Sequence, residues 1–261
     1  MTDSAPSGAP FNGAQPGNRY LNRTLLILIV VSTISFGLFS LVQGFDFAAY
    51  PLVTHVHAVS MSAWLILLAT QSILGSRGSL WLHRRLGWAG VGLAAFAAIT
   101  GIATSFQTIA LGRVPLVFEA GYFLILGIAN MSMFALFVGG AVVTRRITSW
   151  HRRFMLGSIL VIFEPVLGRL LPFFVVPAIG GPDNLLPFLE QHRDGFELFR
   201  VGVHLAIIMA VMLGDRAVTR RFHPIYGLIL VGVVAIYAVA NFVGGTALVE
   251  SYAAGLLDVG G

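Results

Sequence analysis

The chain alternates between long apolar runs and short polar turns. Seven runs stand out, at roughly residues 24–43, 51–74, 86–108, 116–143, 154–178, 197–214 and 225–246. About 20 apolar residues in a helix cross the ~30 Å of bilayer hydrocarbon. A helix also satisfies its own backbone N–H and C=O groups, which lipid requires. The pattern predicts an all-α fold, a polytopic transmembrane helical bundle of about seven spans covering residues 24–248. Residues 1–23 are rich in Gly, Pro, Ser, Ala and Asn and are expected to form a disordered tail. Residues 249–261 are expected to form a short tail at the other end. The first apolar run is too long for a signal-peptide core, and no small-x-small site follows it. Gly180, Gly181, Pro182 and Asp183 break the chain after the fifth run. The stretch from there to His192 is the longest loop and the one richest in acid.

The polar turns carry the charge. Twelve of the sixteen basic residues fall on one side of the predicted bundle, from Arg19 and Arg23 to Arg220 and Arg221. Arg113, Arg193 and Arg200 fall on the other side, and Arg169 lies within the fifth span. The positive-inside rule then predicts a cytoplasmic N-terminus and an external C-terminus in a bacterial inner membrane. Three turns on the arginine side look alike: "WLHRRLGW" at 81–88, "WHRRFMLG" at 150–157 and "RRFHPIYG" at 220–227. Trp81, Trp88 and Trp150 suit an interfacial aromatic belt. The pairs Arg84–Arg85, Arg152–Arg153 and Arg220–Arg221 suit lipid phosphates or another anion.

Composition narrows the chemistry. The residues are 57% hydrophobic and 10% charged. The formal net charge of +5 is not a nucleic-acid footprint, because the arginines are spread over separate turns. Every basic residue is arginine, so no lysine Schiff base can form. With no cysteine there is no disulfide, thiolate nucleophile or iron–sulfur cluster. The expected partners are the lipid bilayer and either a second copy or a membrane redox partner.

Helical periodicity sorts the polar residues into faces. Ser60, Met61, Trp64 and Gln71 lie within about 60° of His57, whereas His55 lies about 160° away. His57 therefore belongs to an interior stripe that His55 cannot share. In the sixth span Glu197, Arg200, Val211 and Asp215 lie within about 40° of His204. Counting rise per residue puts His57 about 9 Å and His204 about 10 Å below the outer end. Glu119, Glu164 and Arg169 fall in the same outer half, and Pro165 is expected to kink the fifth helix. Ionisable groups at membrane depth are functional candidates.

Four readings share these residues. The first is a redox protein holding a b-type haem, with His57 and His204 as axial ligands and Trp64 on the same stripe. Arg169 or Arg200 would then neutralise a propionate. The second is an iron or copper site on His57, His204, Glu119 and Glu164, serving an oxidase or hydroxylase. The third is a proton-coupled transporter for a proton or an organic anion, using Glu119, Glu164 and His204 beside a discontinuous helix. The fourth is a structural or assembly protein whose polar groups join helices.

Several motifs carry a resemblance. His57 through Trp64, Gln71, "LHRRLG" at 82–87, "HRRFM" at 151–155 and "EPVLGR" at 164–169 resemble a widespread group of uncharacterised bacterial inner-membrane proteins. The likeness covers roughly residues 50–225 and implies a multi-pass membrane fold without an established activity. The chain is also similar, more faintly, to the ascorbate-reducible cytochromes b, which have histidines near both membrane faces. That resemblance implies haem and electron transfer. The chain departs from those cytochromes because His83, His151 and His223 are expected in arginine-rich turns rather than within helices, which counts against a second haem.

Overall fold

A computed structural model describes residues 15–42 and 47–260. Among these residues there is no strand. The helices are α1 (Pro16–Val42), α2 (Leu52–Arg77), α3 (Leu80–Ala110), α4 (Ala120–Val143), α5 (Thr148–Leu160), α6 (Glu164–Ala178), α7 (Leu185–Thr219), α8 (Ile225–Gly244) and α9 (Ala247–Gly260). Helices α1, α2, α3, α4, α7 and α8 are each long and apolar enough to cross a membrane. The pair α5–α6, bent by 49° at its break, passes the same test when taken together and brings the number to seven if counted as one broken span. The protein is a multi-pass membrane bundle. Large apolar side chains on its outside, among them Ile27, Val59, Ile99, Leu136 and Phe242, suit contact with lipid.

Two expectations about the ends change. Helix α1 begins at Pro16, so residues 16–23 are helical rather than a tail; residues 1–14 lie outside the described residues. The expected C-terminal tail is largely the helix α9. It packs against α3 and α4, and its Glu250 accepts a hydrogen bond from the Gly121 backbone N–H at the start of α4 (3.1 Å). The carboxylate meets the unpaired N–H groups and positive dipole of a helix N-terminus.

The break between α5 and α6 lies inside the bundle, while the second half of α6, with Phe173 and Phe174, is exposed. Helix α5 packs on α1, α4 and α8, and α6 packs on α1 and α7. Residues 156–164 are buried without interruption. Pro165 supplies no N–H to the Val161 carbonyl and disfavours a helical residue before it, so the helix stops and restarts. Irregular backbone at membrane depth is tolerated where protein surrounds it. Glycines bring α4 and α5 together. A Cβ on Gly157 would lie 2.6 Å from Phe137, and one on Gly140 would lie 2.5 Å from Phe154. Each helix thus seats a phenylalanine of its neighbour on its own glycine.

Turns follow familiar backbone chemistry. Helix α2 ends at Gly78, in the left-handed region with φ 82°, its N–H bonded to the Leu74 carbonyl. Gly180 and Gly181, with φ 87° and 127°, end α6 where the sequence predicts a break. Helix α7 bends at His192, so a short amphipathic lead precedes its apolar length.

Candidate functional site

Helix α7 carries the polar stripe that periodicity predicts. Arg200, His204 and Asp215 are 2%, 1% and 0% exposed. Their partners come from the broken span and from α4 and α8. Two clusters result, one at each end of the stripe.

The first cluster lies at the break, in the half of the bundle away from the arginine-rich turns. The Arg200 guanidinium donates to the Glu164 carboxylate, both side chains being buried. Glu164 is the first residue of α6, so its charge also sits at a helix N-terminus. A second Arg200 nitrogen donates to the Tyr122 hydroxyl (3.3 Å), and the Phe118 ring lies 4.5 Å from the guanidinium carbon. One turn along α7, His204 Nε2 lies 2.7 Å from the Leu160 carbonyl oxygen, the last carbonyl of α5. A carbonyl only accepts, so Nε2 carries the proton. In the neutral ring Nδ1 then accepts from the Tyr237 hydroxyl, 3.0 Å away. Near the mouth, Asn241 donates to Glu197 (2.9 Å), and the Glu197 charge acts on the Tyr122 hydroxyl. A small cleft of about 10 Å³, room for about one water, is lined by Val117, Leu189, Arg193, Phe196, Glu197 and Arg200 beside this cluster.

The second cluster lies towards the arginine-rich face. Arg153 of α5 grips Asp215 of α7 with two hydrogen bonds, Nε to Oδ2 at 2.7 Å and Nη2 to Oδ1 at 2.9 Å. Tyr226 of α8 is buried beside them. The broken span therefore carries Arg then Glu, and α7 carries Arg then Asp. Run antiparallel, the two form matched pairs at both levels.

Most of the other expected site residues lie elsewhere. His57 sits in the seam between α2 and α3, its Nδ1 3.2 Å from the Ala97 carbonyl and 3.3 Å from the Thr100 hydroxyl. Helix α1 packs against both α2 and α7, which share no substantial interface among the described residues. His57 and His204 are thus not brought together. Trp64 is a core residue, edge-on to Phe134 at 4.7 Å. Arg169 turns to α1, its guanidinium 4.1 Å from the Phe36 ring, and donates to the Pro165 carbonyl (2.9 Å). Glu119 is exposed at the mouth and pairs with Arg193 (2.9 Å). Of the proposed metal set, only Glu164 and His204 lie in the same cluster.

The arginine turns divide as well. Arg153 is held by Asp215 and so does not face lipid, and Arg152 donates to Asn22 of α1 (3.0 Å). Arg84, Arg85, Arg220 and Arg221 stay exposed, and Arg85 lies 4.6 Å from the Trp81 ring. His83 and His151, expected in turns, lie in the first turns of α3 and α5.

An axial haem pair needs one free nitrogen on each imidazole, directed at one iron. Both His204 nitrogens are engaged and His57 belongs to another seam, so these residues do not fit that pair. Tyr122 and Tyr237 were missed by reasoning on charges alone. Tyr226 and Tyr237 are eleven residues apart on the buried face of α8, and that spacing was the available signal. No family model matches the chain, and no match was found among the curated proteins or the solved structures.

Proposed function

We propose that the protein is a proton-coupled carrier of an organic anion in a bacterial inner membrane. The observation that carries this reading is the buried Glu164–Arg200 pair at the start of the half-helix α6, at the break between α5 and α6. Half-helix N-termini at membrane depth are a recurrent way to hold an anionic substrate group. Here Glu164 itself occupies that position. Protonating Glu164 removes its charge and frees Arg200 and the α6 N-terminus for a substrate carboxylate. One proton and one anion would then move together. The small cleft beside Glu197 and Arg193 marks the outer side as the shortest approach to Arg200, and it would have to widen to admit an organic anion. The arginine-rich turns supply the cytoplasmic orientation under the positive-inside rule.

Vesicles containing the purified protein and a pH-sensitive dye test this reading. Adding a panel of membrane-impermeant mono- and dicarboxylates outside at acidic pH should acidify the lumen faster than in empty vesicles. Glu164→Gln, a neutral stand-in for the protonated acid, should abolish that proton entry while the protein still elutes as a single species. Lumenal acidification equal to that of empty vesicles with every acid would overturn the proposal.

A further inference from the structure

Hairpins α2–α3 and α4–α5 repeat one device at the arginine-rich face. His83 Nδ1 lies 3.2 Å from the Gln71 carbonyl oxygen of α2. His151 Nδ1 lies 2.8 Å from the Ala141 carbonyl oxygen of α4. Since a carbonyl only accepts, each Nδ1 carries a proton and donates it. In each neutral ring the lone pair is therefore on Nε2. The Gln71 side chain returns a bond to the His83 backbone carbonyl (3.0 Å), a second tie between α2 and the start of α3. His223, the third histidine of the sequence repeat, does otherwise: its Nδ1 accepts from the Ile225 N–H (3.4 Å).

The two rings meet. Their centroids are 6.1 Å apart and their planes cross at 85°. Metal-binding imidazoles are held in this way, one ring N–H on a backbone carbonyl fixing the tautomer and the ring direction. With a metal–nitrogen bond of ~2.0–2.1 Å, two imidazoles on one ion place their centroids at most about 6.4 Å apart. The observed separation lies inside that reach. Among the described residues no set of three or more His, Asp or Glu side chains gathers as a metal site, so the ion would have two protein ligands. Arg84 and Arg152 act on His83, and Arg152 acts on His151, a cationic setting that opposes any cation and opposes a divalent ion about twice as strongly as a monovalent one. A monovalent ion suits two neutral nitrogen donors at a wide angle, and imidazole suits copper. We propose that His83 and His151 bind one Cu(I) ion through their Nε2 atoms. The site is separate from the Glu164–Arg200 cluster and does not depend on the carrier reading.

Anaerobic competition for Cu(I) against bicinchoninate, with tag-free protein in detergent, tests the proposal. One equivalent of copper should leave the chelator. His83→Gln and His151→Gln keep an amide N–H for the carbonyl, and each should weaken binding at least tenfold. His57→Gln and His223→Gln should leave it unchanged. Each variant's thermal midpoint reports whether the fold is intact. No copper withdrawn by the wild type would overturn the site, as would full binding by either His83→Gln or His151→Gln. An equal loss in the two control variants would also overturn it.

Discussion

Asp215→Asn isolates the Arg153 charge inside the bundle. The wild-type pair is bidentate, at 2.7 and 2.9 Å, and its side chains are 8% and 1% exposed. Asparagine keeps the shape and one acceptor but removes the neutralising charge. Removing one partner of a buried pair costs about 3–5 kcal/mol, chiefly because the other charge stays desolvated. For a chain of this size about 2–4 °C of midpoint accompanies each kcal/mol, so a drop of about 6–20 °C is expected. Thermal unfolding in a mild detergent, read by tryptophan fluorescence, measures it. The double variant Arg153→Met with Asp215→Leu separates charge from packing. Replacing both partners of a buried pair by apolar groups is often neutral or stabilising, so the double variant should melt well above the single one. A single variant within about 2 °C of wild type would refute the reasoning, as would a double variant that melts as low as the single one.

Two further outcomes follow from local geometry. A Cβ on Gly244 would lie 2.7 Å from the Tyr122 Cα and 2.9 Å from the Gly121 carbonyl oxygen, both backbone atoms that cannot rotate away. Gly244→Ala should therefore cost ~1–3 kcal/mol through overpacking and slow proton entry in vesicles, because it pries Tyr122 from Arg200; an unchanged midpoint and flux would contradict this. His223, in the turn between α7 and α8, is held below the ordinary imidazole value by burial and then by the Arg153 charge, with Asp215 opposing. The unfolded chain then binds the proton more tightly, so the contribution is complete above about pH 6.5 and is lost as pH falls through the depressed folded value. Between pH 7.5 and 5.5 the wild type should lose more thermal midpoint than His223→Gln, and equal losses would show that this group does not titrate in that window.

The sequence was legible where the rule is one-dimensional. Apolar run length located the spans, and the 100° step placed Arg200, His204, Val211 and Asp215 on the buried face of α7. Pro165 marked the break, though not its full 49° bend or the helices that enclose it. The pairing of faces was hidden, because periodicity gives an angle on a residue's own helix and not the identity of its neighbour. His57 was thus set opposite His204, when the seam it fills is with α3. Arg153 was grouped with lipid-facing arginines, because its position in an "HRR" turn says nothing of an aspartate 62 residues later. His83 and His151 were set in turns for a related reason. Helices α3 and α5 extend past the apolar runs that reveal them, at Leu80 and Thr148.

The break also bears on how the protein is made. Helix α5 has 13 residues and α6 has 15, so at about 1.5 Å per residue neither half crosses the hydrocarbon alone. If the pair forms one span, the two halves enter the bilayer together and bring Arg153, Glu164 and Arg169 with them. Each charge near the centre of an inserting segment costs about 2.5–3.5 kcal/mol. Their neutralising partners, Arg200 and Asp215, are synthesised later, Arg200 being 36 residues behind Glu164. At about 5–20 residues per second the ribosome needs roughly 2–7 s to deliver Arg200. During that interval Glu164 has Arg169 of its own segment as an opposite charge, Arg153 still lacks Asp215, and helix α1, already synthesised, is the surface on which both halves later pack.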